Sequence, residues 1–496
     1  MSDPERTAII DAGRGDLAVR YGELDRQAAR IASGLAAVGL RPSDRVAICM
    51  ENGLDYAVSW FGAAYAGCAT LPIPPGSTAP EISFRLEHAR CRLLLTDVAR
   101  LEMAKDSISR TEGRVDLLCV KDVIDKASNE LEPVDLEDGA LAMLLYTSGT
   151  TGAPKCACIT HESLCAHSAA LADRVIHLGP EDRVLGTLPL THSYGIRTTL
   201  LLPFHAGACT VFVPRYSPRR TLELCGTHHV TWLPAVPTMF IGWAGQTGIV
   251  RPESLRWCMS AGAPLPEDVR LRAEERLGAP VRQAYGLTEA NLTTVNAPPD
   301  VAVPGSSGKP VFGVQVRIAS EDGTEAPIGS RGEVLVRGPN VMAGYLDDPM
   351  ATDHVMRGGW LHTGDIGLVD PEGRLTIVDR SKDLILRGGA SVYPSEVENV
   401  LVQHGAVREA VVVGQPDDYY GEVVVAVVIT DGSIDVSELD RWMRDRLAAY
   451  KVPIGYALVS EMPRSAHGKI LKRRLAGQLA SGAIAVEWLS TGSPTQ

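Results

Sequence analysis

The apolar run LAMLL (141–145) leads without a break into YTSGTTGAPK (146–155). Five consecutive apolar residues read as a strand buried on both faces. The loop after it is built of glycine and hydroxyl residues. Glycines let the backbone approach an anion closely, hydroxyls and free N–H groups donate to its oxygens, and Lys155 adds a cation at the far end. Thr147, Ser148, Gly149, Thr150, Thr151, Gly152 and Lys155 are therefore candidate phosphate-binding residues. The spacing satisfies neither GxxxxGK[ST] nor GxGxxG, so this is a different phosphate loop from those of the P-loop and dinucleotide-binding folds.

Working outward, the first half alternates helical and strand periods. Leu24, Ala28, Ile31, Leu35 and Val38 recur at helical spacing, with Gly39 as a stop. RVAICM (45–50), RLLLT (92–96), VDLLCV (115–120), RVLGTLPL (183–190), ACTVFVP (208–214) and RWCMSA (256–261) are short apolar runs with helical segments between them. That rhythm predicts an α/β fold whose large N-terminal domain carries two parallel-type βαβ sheets. From about Gly305 the texture changes. VQVRIAS, GEVLVRG, GLVD and RLTIVD predict short strands of a mostly antiparallel β-subdomain. After Asp379 a third texture begins, with YPSEVENVLVQHGAVREAVVVG, GEVVVAVVIT and SELDRWMRDRLAAY reading as helix, strands and helix. The expected division is a large domain over 1–380 and a small separate α+β domain over 381–496, with LSTGSPTQ (489–496) as a disordered tail.

The chain has 496 residues, 45 % hydrophobic and 22 % charged, which excludes wholesale disorder. A formal net charge of −12 argues against a sequence-independent nucleic-acid binder. Ten cysteines lie between Cys49 and Cys258, with no CxxC pair. They read as reduced, mostly buried thiols of a cytoplasmic protein. MSDPERTAII lacks the apolar core of a signal peptide. The uncharged stretch Tyr56 to Pro80 is long enough to span a bilayer, but it is rich in Ala, Gly, Ser and Thr and ends in LPIPPGSTAP. It reads as a buried helix running into a proline-rich loop, and Thr198 to Pro214 as core, so no membrane span is expected.

Further segments follow in a fixed order: LPLTHSYG (188–195), SAGAPLP (260–266), QAYGLTE (283–289), GEVLVRGPNVMAGY (332–345), WLHTGDIG (360–367), IVDRSKDLILRGGASVYPSEVEN (377–399) and PRSAHGKILKRRL (463–475). With YTSGTTGAPK they resemble the adenylate-forming superfamily of acyl-CoA synthetases, coumarate–CoA ligases, firefly luciferases and peptide-synthetase adenylation domains. The resemblance covers about residues 20 to 475.

The resemblance implies a nucleotide site with ATP, Mg2+ and CoA as cosubstrates and cofactor. Tyr285 offers a ring to adenine, Thr288 a hydroxyl near phosphate, and Glu289 a hard oxygen ligand for Mg2+ shared with Thr151. Gly262, Ala263, Gln283, Ala284 and Gly286 line the same site. Asp365, in the HTGD turn, resembles the ribose-binding carboxylate; Arg380 also contacts ribose, and Ile377 lies beside adenine. Lys469 holds the substrate carboxylate and neutralises charge at the α-phosphate, while Lys472, Arg473 and Arg474 help draw the small domain onto ATP. Lys382 is the hinge. Gly388 and Gly389 meet the pantetheine arm, and Arg215 is assigned to CoA.

His192 borders the acyl-adenylate, where amino-acid adenylating relatives place an Asp for the substrate ammonium. A buried ammonium here would stay unpaired, so the expected substrate is a small-molecule carboxylic acid without an α-amino group. Tyr194, Trp232, Val236, Met239, Ala284 and Asn291 are candidate acyl-pocket walls. Three departures stand out: Cys156 follows the loop lysine in place of Gly, Leu386 stands where coumarate–CoA ligases and luciferases carry Lys, and Ala284 replaces a Gly. The implied activity is an acid–thiol ligase forming acyl-AMP and then acyl-CoA. The alternatives are a stand-alone enzyme loading a carrier-protein pantetheine and, more remotely, a non-catalytic nucleotide-binding relative. A homodimer is a further expectation.

Overall fold

A computed structural model describes residues 3–137, 139–147, 154–246, 251–380, 383–387, 390–417, 419–432, 434–464 and 470–489, without the side chains of Arg380 and Ser391. The chain divides into two compact units. One comprises residues 1–317, 335–363 and 369–376, the other 318–334, 364–368 and 377–496. The strands Gln315–Ala319, Gly332–Arg337, Trp360–Val369 and Leu375–Arg380 carry residues of both.

In the first unit, the helix Tyr21–Ala37 buries Leu24, Ala28, Ile31 and Leu35 on one face and ends before Gly39, whose φ of 88° is left-handed. Each large apolar side chain of that stripe contributes about 1.5–3 kcal/mol. A seven-stranded sheet runs in the order Gly344–Tyr345, Cys156–Thr160, Leu141–Tyr146, Ala69–Pro72, Arg45–Cys49, Leu93–Thr96 and Asp116–Cys119. Its last five strands are parallel, as the alternating rhythm predicts.

The stretch 56–80 differs from expectation. The helix Leu54–Tyr65 is followed by a buried strand, Ala69–Pro72, before the next helix at Ala79–His88. The prolines conceal it. Pro72 takes the last strand position, and the ladder bond beyond it comes from Ile73 N to Ile48 O at 2.9 Å. Among the described residues no helix is long and apolar enough to cross a membrane. All ten cysteines are free; nine are buried and Cys165 is exposed.

The second sheet of this unit runs from Leu17–Arg20 through Thr7–Asp11, Cys209–Phe212, Arg183–Gly186, Trp232–Ala235, Trp257–Ser260, Val281–Leu287 and Asn291–Val295 to Ser306–Pro310. It is parallel from Thr7–Asp11 to Val281–Leu287 and antiparallel beyond. The turn that follows Val281–Leu287, Thr288-Glu289-Ala290, joins Leu287 to its antiparallel partner Asn291, which has a φ of 50°. Gly286 makes this hairpin possible, because a Cβ there would lie 2.0 Å from the Asn291 carbonyl oxygen.

In the second unit a six-stranded sheet pairs Val407–Asp417 with Gly421–Thr430 over its whole length. Strand alternation sends Ala410, Val412, Val424, Ala426 and Val428 into one core and Val411, Val413, Val425, Val427 and Ile429 into the other. The helices Pro394–Leu401 and Val436–Arg444 feed the first core, and Lys472–Ala480 feeds the second. Both faces of GEVVVAVVIT are covered, which is why it reads as unbroken apolar sequence. Lys472 corrects an expectation. Its Nζ donates to Glu398 Oε1 at 2.7 Å, and the same carboxylate oxygen accepts from Val412 N at 2.8 Å, so this cation is tied within its own unit.

Two stability predictions arise. Gly286→Ala should lower unfolding free energy by about 3 kcal/mol, as a side chain driven into backbone that cannot yield. Gly226→Ala, on a helix with nothing within 4 Å of the new Cβ, should raise it by about 0.5–1 kcal/mol. Thermal unfolding of both variants checks the pair. Burial holds the Glu398 carboxyl above its ordinary range, against the opposing pull of Lys472. A carboxyl raised in the folded state favours folding below its unfolded value and loses that contribution as pH rises through its folded value. Lys472→Ala removes the offsetting cation. The variant should lose about 2 kcal/mol at pH 7, with the deficit shrinking as pH falls toward about 4. Denaturant titrations at the two pH values measure it.

Candidate active site

The candidate phosphate loop connects two antiparallel strands, Leu141–Tyr146 and Cys156–Thr160. Its base is closed by Thr147 N donating to Lys155 O at 2.8 Å, with Thr147 Oγ1 3.4 Å from the same oxygen. Ser148, Gly149, Thr150, Thr151 and Gly152 lie outside the described residues. Tyr146, just before the loop, has its hydroxyl 2.8 Å from His88 Nδ1 and the Arg85 guanidinium 5.5 Å from its ring centroid.

At the loop's far end, Lys155 Nζ sits 5.0 Å from the centroid of the Tyr345 ring. The Tyr345 hydroxyl donates to Glu289 Oε1 at 2.8 Å. Burial pushes the Tyr345 phenol above its ordinary range, and the adjacent Glu289 carboxylate adds to the rise, so Tyr345 remains a donor at neutral pH. The backbone fixes all three residues. Tyr345 pairs with Ala157, Leu346 N donates to Cys156 O at 2.8 Å, and Met342 N donates to Glu289 O at 2.7 Å. Tyr345 closes the GEVLVRGPNVMAGY segment, but the residue pattern assigned it no role. Its significance lies in pairing with strands far away in sequence.

Other expected nucleotide residues sit at the carboxyl ends of the parallel strands, where open α/β sheets bind ligands. Gln283 Oε1 accepts from Leu265 N at 2.9 Å and pins the loop that exposes Gly262 and Ala263. Ala284 is buried, and Tyr285 pairs with Thr294. Thr288 shares the hairpin tip with Glu289.

Of the acyl-side residues, His192 is exposed and accepts from Tyr194 N at 3.3 Å as the cap of a short helix. It is not a core histidine. Tyr194 is buried, and its hydroxyl reaches both Ala235 O at 3.3 Å and Met259 O at 3.1 Å, linking the ends of two parallel strands. Val236 and Met239 follow directly, and a Cβ on Gly262 would lie 3.7 Å from Val236 Cγ1. Asn291 Nδ2 donates to Ser193 O at 3.2 Å. Trp232 does not join this group. It lies at the start of its strand, fully buried, with its ring 5.9 Å from that of Trp257, and is a core residue. Arg215 is exposed, three residues past the strand Cys209–Phe212.

In the second unit, Asp365 corrects the expected turn. It is buried inside the ten-residue strand Trp360–Val369. Gly364 beside it has a φ of 69° and donates its N–H to Glu333 Oε1 at 3.1 Å. A left-handed glycine within a strand mimics a turn signal in sequence. Ile377 and Arg380 belong to the strand Leu375–Arg380. Asp379 Oδ2 accepts from Ser395 N at 2.9 Å. Leu386 is exposed, and its N–H donates to Glu422 Oε2 at 2.7 Å. Lys382, Gly388, Gly389 and Lys469 lie outside the described residues.

Glu289 offers a single carboxylate at a hairpin tip. Among the described residues, no group of three or more His, Cys, Asp or Glu could hold a metal ion. That donor set fits Mg2+, which binds through one or two carboxylates together with substrate phosphates and water.

The AMP-binding enzyme family model matches residues 1–346, and the model of its C-terminal domain matches 396–469. The chain is 36 % identical over 480 residues to a feruloyl-CoA synthase of Amycolatopsis sp, with 95 % of each chain covered. It is 33 % identical over 515 residues to a long-chain-fatty-acid–CoA ligase of Bacillus subtilis strain 168, covering 95 % of this chain and 91 % of that protein. It matches the structure of o-succinylbenzoate coenzyme A synthetase from Bacillus subtilis in complex with ATP and magnesium ion with a TM-score of 0.85, at 32 % identity and over 95 % of this chain and 97 % of that one. A match of this extent, over both domain models, means that the chain belongs to the AMP-binding enzyme family.

Proposed function

We propose that this enzyme activates a carboxylic acid without an α-amino group, using the Lys155, Tyr345 and Glu289 cluster to receive the polyphosphate of ATP. It is an acid–thiol ligase that consumes ATP and CoA and releases AMP and pyrophosphate. In the first half-reaction a carboxylate oxygen of the acid attacks the α-phosphorus, and the bond to pyrophosphate breaks. In the second, the CoA thiol loses its proton and attacks the carbonyl carbon, and AMP leaves.

The observation that supports the reading most directly is the placing of a cation and a carboxylate, 134 residues apart in sequence, around one aromatic ring at the end of the phosphate loop. Loop N–H and hydroxyl groups take up charge on the departing pyrophosphate, and Lys155 adds a full positive charge there. Glu289 and Thr151 would hold Mg2+ together with phosphate oxygens, and the bound ion would supply further neutralisation of that charge. Asp365 accepts from the ribose hydroxyls, with Arg380 and Ile377 on the neighbouring strand completing the nucleoside contacts. His192, exposed at a helix start, borders the acyl group and offers no carboxylate to an ammonium.

Lys469 steadies the transition state of the first step. Rotation about Lys382 then withdraws it and brings Gly388 and Gly389 to the pantetheine, so one pocket serves two chemistries. The large and small domains divide at 380/381 on this reading. CoA is the acceptor. Free thiols throughout the described chain support a cytoplasmic location.

Separating the half-reactions tests the assignment. Lys469→Ala should cut acid-dependent ATP–pyrophosphate exchange by about 10²-fold or more and leave conversion of supplied acyl-adenylate to thioester near the parent rate. Exchange that survives the substitution removes Lys469 from the first step. Asp365→Asn should raise the KM for ATP about tenfold with a smaller change in the acid's KM. Pyrophosphate release across a panel of long-chain, hydroxycinnamic and succinyl-aryl acids identifies the substrate, and replacing free CoA by a phosphopantetheinylated carrier checks the acceptor.

A further inference from the structure

We infer that Tyr345 is a positioning residue that holds the Lys155 ammonium and the Glu289 carboxylate apart, so that each stays available to the nucleotide and its metal. The inference rests on the reading of Glu289 as the Mg2+ ligand.

A lysine and a glutamate at one loop mouth would otherwise tend to pair with each other. A direct pair satisfies both charges and leaves neither the phosphates nor the metal an unopposed partner. The phenol side chain prevents this with two separate faces of its chemistry. Its ring draws the ammonium, at 5.0 Å from the centroid, by the negative face of the π-system. Its hydroxyl, at 2.8 Å, donates to one carboxylate oxygen of Glu289 and leaves the second oxygen's lone pairs unclaimed by that bond. One planar group thus seats a cation on its face and an anion at its edge.

The backbone prevents Tyr345 from drifting. Its N–H donates to Thr352 Oγ1 at 2.8 Å. Its strand pairs Tyr345 with Ala157 and Gly344 with Cys158, so it is bonded to the strand that begins immediately after Lys155. The Glu289 carbonyl oxygen takes the N–H of Met342, three residues before Tyr345. Loop lysine, tyrosine and glutamate are therefore linked through two independent sets of main-chain hydrogen bonds, as expected of a group whose task is orientation.

The two functions separate by substitution. Tyr345→Phe keeps the ring and removes the hydroxyl, and Tyr345→Leu removes both. The readout is equilibrium binding to the full chain, with Mn2+ as the metal probe followed by electron paramagnetic resonance and α,β-methylene-ATP as the unreactive nucleotide, titrated with Mn2+ and separately in excess EDTA. Tyr345→Phe should weaken Mn2+ binding to the nucleotide complex about tenfold and leave metal-free nucleotide affinity unchanged. Tyr345→Leu should weaken both. Glu289→Gln is the reference: if it leaves Mn2+ affinity unaltered, the reading of Glu289 fails first. If Glu289→Gln weakens Mn2+ while Tyr345→Phe binds like the parent, the positioning role is overturned. An equal loss with and without metal in Tyr345→Phe also overturns it, because that pattern reports general disturbance. Should Tyr345→Leu not fold, the Phe variant alone decides.

Discussion

The antiparallel ladder between Leu141–Tyr146 and Cys156–Thr160 carries the rest of the site. Its register runs from Leu141 opposite Thr160 to Tyr146 opposite Cys156, so the strands on either side of the candidate phosphate loop are held in fixed register. The same second strand pairs on its other edge with Gly344–Tyr345, which brings in the residue that touches both Lys155 and Glu289. Closing a loop costs conformational entropy at folding, and the ladder pairs the two flanking strands at that stage. Core packing supports the ladder. Leu144, Cys156, Cys158 and Leu346 are buried together with Ala47, Leu71 and Leu94 from the parallel part of the sheet.

Charge is managed locally. The chain is acidic as a whole, yet its cations are assigned one by one. Lys472 is bound to Glu398, Lys451 to Glu396, and Arg387 to the carbonyl oxygens of Tyr450 and Val452. Lys155 is placed differently, over an aromatic face. A cation held by a quadrupole gives up less when a phosphate approaches than one that must break an ion pair. Net charge therefore says little about whether a small polyanion can bind, and the position of individual side chains decides.

Sequence patterns disclosed those features whose physics is local. The helical stripe Leu24 to Leu35, the parallel strands and the doubly buried valine strands were legible because burial on one or both faces imposes a period. The strand Ala69–Pro72 was hidden by the prolines around it, and Trp232–Ala235 by its brevity and its Pro234. Gly364 disguised a strand as a turn, which misplaced Asp365. Trp232 looked like a pocket wall because aromatic residues line pockets, but its position at the amino end of a parallel strand puts it in the core. Glu289 could be picked out from its motif, whereas Tyr345 could not be given a task, since the bond that defines its role spans 56 positions.

The distribution of thiols has a chemical consequence of its own. Burial pushes Cys49 up to about 11 and Cys91 and Cys209 up to about 12, which suppresses the thiolate that electrophiles and peroxides attack. Cys165, exposed on the helix His161–Leu171, stands apart from these shielded groups. A maleimide dye on the native chain would therefore attach at a single position on that helix, without any cysteine having to be engineered out.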